Sequence, residues 1–172
     1  MIMRADVAVA AVDAARQEAP DCPVIYLSPR GVPLTQSRIR ALSAGPGATL
    51  LCGRFEGLDQ RVIEARGLEE VSLGDFILAG GEIAAVALIE ASVRLLPGVL
   101  GAEASPEDES FENGLLEYPQ FTRPQSFEGR EIPAVLTSGN HSEIDRWRKE
   151  QAETLTRQRR PDLWSLYEKR RG

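Results

Sequence analysis

Three short apolar runs, each ending in a glycine-bearing loop and separated by helical patterns, constrain this chain more than any other feature. The runs are Pro23-Val-Ile-Tyr-Leu-Ser28, Ala48-Thr-Leu-Leu-Cys52 and, more weakly, Glu70-Val-Ser-Leu-Gly74. Runs of this length bounded by turn residues read as buried strands. The loops after them are Ser28-Pro-Arg-Gly31, Gly53-Arg-Phe-Glu-Gly57 and Gly74-Asp-Phe-Ile-Leu-Ala-Gly-Gly81. Between them, Thr35 to Ser43 sets Ile39 and Leu42 on one face, and Leu58 to Ala65 offers Val62 and Ile63. Glu82 to Leu96 presents Ile83, Val86, Ala87, Leu88, Ile89 and Val93 as a broad apolar face before Pro97-Gly98. Alternating strand and helix predicts α/β layers around a mainly parallel sheet. In such sheets ligands bind beyond the carboxyl ends of the strands, so the three loops together predict one small-molecule pocket.

The standard nucleotide signatures are absent. No GxxxxGK[ST] string occurs, and Gly45-Pro-Gly47 precedes a strand where a Rossmann fingerprint would open a helix, so a pyrophosphate ligand is not expected. With Cys22, Cys52 and one histidine, His141, the chain has neither a disulfide framework nor a thiol–imidazole zinc site. Those counts suit a cytoplasmic protein. Asp6 and Asp13 interrupt the small-residue N-terminus, which reads as an amphipathic helix and not as a signal peptide. No run approaches the roughly 18 apolar residues of a membrane span.

The 172 residues suffice for one full domain and a small appendage. A net charge of −6 argues against a nucleic-acid partner, but it hides an asymmetry. Residues 142–172 hold nine basic and six acidic side chains, against eleven and twenty in residues 1–141. The tail, with Arg157, Arg159 and Arg160, is the candidate electrostatic handle. Residues 101–133 are polar and turn-rich yet carry Leu115, Leu116, Tyr118, Phe121 and Phe127, which predicts a functional loop. A linker over 136–142 then leads into a helix from Glu143 to about Arg159. His141 reads as a linker or cap residue and Trp147 as core.

The strings YLSPRG (26–31), LLCGRFEGLDQRVIE (50–64), SLGDFILAGGE (72–82), RLLPGVLG (94–101), GLLEYPQFTRP (114–124) and VLTSGNHSEIDRWR (135–148) resemble, in order and spacing, the bacterial tRNA (guanine-N1)-methyltransferases of the SPOUT class. The resemblance implies a doubly wound parallel sheet with a deep trefoil knot, and a homodimer with the active site between subunits. It also implies methyl transfer from S-adenosylmethionine to N1 of the guanine just 3′ of the tRNA anticodon. It suggests a SPOUT domain over 1–135, the linker, and a partial helical C-terminal domain over 143–172. Family members carry a further strand and glycine-rich loop ahead of Met1, so this chain looks like one lacking that piece.

By the same resemblance the cofactor contacts are Gly53 and the run Leu73, Gly74, Asp75, Phe76, Ile77 and Leu78. The loops add Tyr26, Leu27, Ser28, Phe55, Glu56, Gly57, Gly80 and Gly81. S-adenosylmethionine has no phosphate and needs backbone donors and acceptors in a tight apolar enclosure, which such loops supply. Guanine N1 is a poor nucleophile until its proton is removed, which calls for a base, and the charge that spreads to O6 calls for a fixed guanidinium. Glu109 and Arg94 match the family's catalytic carboxylate and arginine. The family usually places Asp before the Ser-Phe found here as Ser110-Phe111, whereas this chain has Glu109 with Asp108 upstream. Ser105, Tyr118 and Arg123, with the three tail arginines, are the expected tRNA contacts. Glu56 and Glu82 are expected as pocket carboxylates that face the sulfonium or hold a divalent cation such as Mg2+, with plain surface exposure as the alternative reading. Two other readings stay open: a SPOUT enzyme for another RNA, and a non-catalytic RNA-binding or assembly module.

Overall fold

In a computed structural model of the chain, residues 1–99, 109–111 and 113–171 are described. They fall into two compact units, Met1–Glu103 and Ala104–Gly172, each taken by itself below.

The first unit is a parallel sheet covered on both faces. Strand β1 (Val24–Pro33) lies between β2 (Thr49–Cys52) and β3 (Glu69–Ser72), parallel to both. The alternation of β1 decides which face each residue feeds. Val24 and Tyr26 join Leu58, Val62, Ile63 and Leu68 beneath α1 (Ala5–Glu18) and α3 (Gln60–Arg66), where Ala8 and Val12 complete the cluster. Ile25 and Leu27 join Val71 on the opposite face, under α2 (Gln36–Ala44) and α4 (Glu82–Val93). A strand buried on both sides must be apolar at every position, which is why the run reads without alternation.

Local chemistry fixes the helix ends. Thr35 accepts from the Arg38 N–H at the start of α2, and Asp59 accepts from the Arg61 N–H at the start of α3. Each such cap is worth about 1 kcal/mol. Gly67, left-handed at φ 54°, closes α3, and the Leu68 N–H bonds back to the Ile63 carbonyl. On the outer side, Arg66 joins α3 to α1 through Asp13 at 2.6 Å.

Strand β1 runs past the expected end at Ser28. Both Leu27 and Val32 pair with Val71, so residues 28–31 leave the ladder and the chain re-enters it. Gly31 permits the return: a Cβ there would stand 2.3 Å from the Val71 backbone nitrogen. On α4 the buried residues are Ala84, Ala85 and Leu88, while Ile83 is 66% and Val86 61% exposed. The sequence predicted a single broad apolar face there. The small alanines pack toward the sheet, and a stripe of larger side chains is left outside.

The second unit is mainly helical. A hairpin pairs β4 (Ser126–Phe127) with β5 (Arg130–Glu131), and a 3-10 turn covers Ala134–Thr137. Helix α5 (His141–Arg159) and helix α6 (Pro161–Arg171) follow. Asn140 caps α5 by accepting from the Glu143 N–H, which leaves His141 exposed in the first turn. Trp147 is half-buried against Phe121, with ring centroids 6.1 Å apart. The buried Thr156 hydroxyl donates to the Ala152 carbonyl and accepts from the Leu116 N–H at 2.8 Å, pinning residues 115–118 to α5.

Candidate active site

The carboxyl ends of β1, β2 and β3 open into one cleft of about 700 Å³. Its walls are the three glycine loops. Of the fifteen positions expected to touch a cofactor, every one except Asp75 lines it. The sequence reading did not single out Pro29, Arg30, Asp59 and Gln60, which join the wall through the excursion of β1 and the cap of α3. The Ser28-Pro-Arg-Gly31 loop was legible; the re-entry that turns Arg30 toward Gln60 (3.2 Å) and Glu70 (3.1 Å) is a long-range pairing.

The cleft is built by backbone approaching side chain. Tyr26 is buried, and its ring fills the space beside the second loop: a Cβ on Gly57 would meet its hydroxyl oxygen at 2.3 Å, one on Gly53 its ring at 2.9 Å. Gly57 also sits at φ 83°, where a side chain is strained. Burial raises the Tyr26 hydroxyl above its ordinary pKa, opposed by a backbone hydrogen bond from Leu58. The second and third loops are joined by the Gly81 N–H donating to the Gly53 carbonyl at 2.9 Å, beside a bridge from Arg54 to Gly80. The first residues lie along the same loop, where the Met3 N–H donates to the Gly57 carbonyl at 2.9 Å.

Two carboxylates differ at the rim. Glu82 opens α4, and its own backbone N–H and then the Arg54 guanidinium at 3.1 Å lower its pKa. Glu56 is exposed and lines the cleft. Among the described residues no three His, Cys, Asp or Glu side chains converge as a metal cage. Apolar surface completes the site: Leu27 and Leu73 within, and Phe55, Phe76 and Ile77 exposed around the mouth.

The remaining candidates lie elsewhere. Arg94 is the half-buried C-cap of α4. Glu109 and Tyr118 line a separate cleft within the second unit. Arg123 and Arg159 are exposed, Arg157 lies 4.4 Å over the Trp164 ring, and Arg160 is paired with Asp162 at 2.6 Å. Ser105 and Asp108 lie outside the described residues.

A doubly covered parallel sheet with a glycine-walled cleft at its strand ends places the chain among the α/β proteins that bind a small ligand at that edge of the sheet. The sequence matches the family tRNA (guanine-1)-methyltransferase TrmD over residues 1–166, and the chain belongs to that family. A protein of Mesorhizobium japonicum named tRNA (guanine-N(1)-)-methyltransferase is 68% identical over 163 residues, covering 95% of this chain and 70% of the relative. Relatives of the same name from Chelativorans sp. and Sphingopyxis alaskensis are 63% and 60% identical, and the matches cover 73% and 68% of their lengths.

Proposed function

We propose that the chain transfers a methyl group from S-adenosylmethionine to N1 of the guanine immediately 3′ of the anticodon in tRNA. The observation that carries this reading is the family match over residues 1–166, which takes in every loop of the cleft. The residues present fit the methyl donor. Glycine-lined backbone offers amide and carbonyl groups at close range, Leu27, Leu73 and Leu78 give an apolar enclosure, and nothing in the loops is arranged for a pyrophosphate. When bound there, S-adenosylmethionine supplies an electrophilic methyl group. The carboxylates that would hold a divalent cation such as Mg2+ there are Glu56 on the cleft wall and Glu82, which Arg54 engages.

The chain's own residues have the remaining tasks. Glu109 takes the proton from guanine N1, and Arg94 holds the charge that develops on O6. Tyr118, Arg123, Arg157 and Arg159 meet the tRNA; Ser105 belongs to the same proposed set, and Arg160 contributes less because Asp162 engages it. We place the family's trefoil knot in a domain over 1–135, with the linker and helical segment beyond. The working form is a cytoplasmic homodimer with its site between subunits. Its support is the exposed stripe of Ile83, Val86, Ile89 and Val93 on α4, since a helix apolar all round is a helix meant to be covered. No helix among the described residues is long and apolar enough to cross a membrane.

The test is transfer of labelled methyl to a tRNA transcript, with the modified base identified after digestion. The expected product carries the label on N1 of that guanine. Glu109→Gln and Arg94→Ala should each slow transfer about 100-fold, the scale of a general base or a charge-stabilising group. Label on another base, or both variants at the wild-type rate, would overturn the reading.

A further inference from the structure

Four charged side chains line the strand-end cleft: Arg30, Arg54, Glu56 and Asp59. Two of them are engaged in the loops themselves. Asp59 caps α3 and is gripped by the Arg61 guanidinium at 2.6 and 2.9 Å. Arg54 pairs with Glu82 at 3.1 Å, beside the bridge that joins the second and third loops. Arg30 is held differently. Gln60 and Glu70 both accept from one terminal nitrogen, Nη2, at 3.2 and 3.1 Å. Gln60 is itself fixed, its amide donating to Glu64 at 3.1 Å. The donors of Nη2 are therefore taken, while among the described residues no acceptor meets those of Nε and Nη1. The backbone also departs from regular pairing to put Arg30 there. Residues 28–31 leave the ladder with β3 and re-enter at Val32. Irregular strands of this kind re-aim side chains beside active sites.

We propose that Arg30 is the carboxylate anchor of the methyl donor: it sets the methionine end of S-adenosylmethionine at the first loop and makes the cleft select donors that keep this carboxylate. The assignment rests on the S-adenosylmethionine reading above and deepens it. The α-carboxylate is the one anionic group of a donor that carries no phosphate. A guanidinium is always charged and binds such a group through charge-assisted hydrogen bonds. The other charged walls are poorer anchors. Glu56 and Asp59 have the wrong sign, and Arg54 shares its loop with Glu56 and its charge with Glu82, which together repel a further carboxylate.

The experiment is calorimetric binding, to the full chain, of S-adenosylmethionine and of its decarboxylated form, which keeps the sulfonium, the adenosine and the amine. The wild type should bind the decarboxylated donor about 10-fold more weakly, the scale of one hydrogen bond to a charged group. That comparison needs no variant to fold. Arg30→Ala should lose the same about 10-fold for S-adenosylmethionine and bind the decarboxylated donor as the wild type does. Arg30→Lys should recover part of the loss, because the charge stays and the planar fork does not. Arg54→Gln should keep the wild-type preference between the two donors. An equal loss for both donors in Arg30→Ala would make Arg30 a support of the loop and overturn the proposal. Equal affinity of the wild type for both donors, or a preference that vanishes in Arg54→Gln, would overturn it as well. A folded wild type that binds neither donor would instead remove the cofactor reading, and the anchor with it.

Discussion

The two units hold themselves together in different ways. In the first, sixteen buried apolar residues from Ala8 to Leu88 fill both faces of a parallel sheet, whereas in the second the buried apolar residues among those described are Leu115 and Ala152. A fully buried Val, Leu or Ile contributes about 1.5 to 3 kcal/mol. The stacks of the second unit, Arg148 on Tyr118, Arg157 on Trp164 and Arg171 on Tyr167, contribute about 0.5 to 1 kcal/mol each where exposed. The first unit therefore has the larger margin, and the loops of its strand-end cleft leave from that packed sheet. The second is held by polar and aromatic contacts of the kind that also recognise RNA, so substitutions there should cost binding before they cost the fold.

The strongest way to break this contrast is to add one methyl group at matched glycines. Gly31→Ala drives a Cβ into the backbone of β3 and should cost about 3 kcal/mol or more in urea unfolding, because strand backbone cannot step aside. Gly139→Ala in the second unit meets nothing within 4 Å and pays only for its positive φ, about 1 to 2 kcal/mol. Equal losses would show that the first unit is no more tightly built than the second.

Gly57→Ala should come next, at about 2 to 4 kcal/mol from the clash with Tyr26 and the left-handed backbone together, with a matching loss of cofactor affinity. The clash is with the hydroxyl, so Tyr26→Phe added to it should restore part of both losses. No recovery would mean that Tyr26 does not set the loop.

Thr156→Val should cost about 1 to 3 kcal/mol, because it orphans the Leu116 N–H within the second unit. Binding of tRNA should weaken while S-adenosylmethionine binding holds. Loss of cofactor binding in that variant would deny the division of labour.

How much of this was legible in the sequence follows the same divide. The strands, the three loops and the covering helices of the first unit declare themselves through apolar periodicity. The re-entry of β1 at Val32 does not, since it depends on pairing with Val71 across a sequence gap. Nor does the buried side of α4, because a helix apolar all round carries no facing signal. The second unit hides more. Helix α6 lacks a clear apolar stripe, so periodicity carries the helical reading only to about Arg159 and the family resemblance alone extends it to 172, although Pro161 at its first position, Asp162 beside it and Lys169, Arg170 and Arg171 in its last turn are local cues. The hairpin turn at Glu128-Gly129 adopts φ 50° and 75°, a geometry that two-residue strands are too short to announce.

Acid should produce the smallest difference between the units. Arg61 lowers Asp59 in the first unit, and Arg160 lowers Asp162 in the second, each to a pKa of about 2 against an ordinary 3.8. A carboxylate depressed by folding adds stability that is present above the ordinary value and lost as pH falls toward 2. Both pairs are exposed, so Asp59→Asn and Asp162→Asn should flatten the pH dependence of unfolding slightly and similarly between pH 4 and 2. A steep effect from either one would mark a pair that the packing of its unit depends on.

The central claim is that the strand-end cleft of the first unit is the methyl donor's site. Amide-resolved NMR titration of the full chain with S-adenosylmethionine tests it most directly. The account predicts saturable shifts at residues 26–31, 53–58 and 72–81, with Tyr118, Arg148 and Tyr167 unmoved. Shifts centred on the second unit's cleft, or a folded chain that shows none, would contradict it.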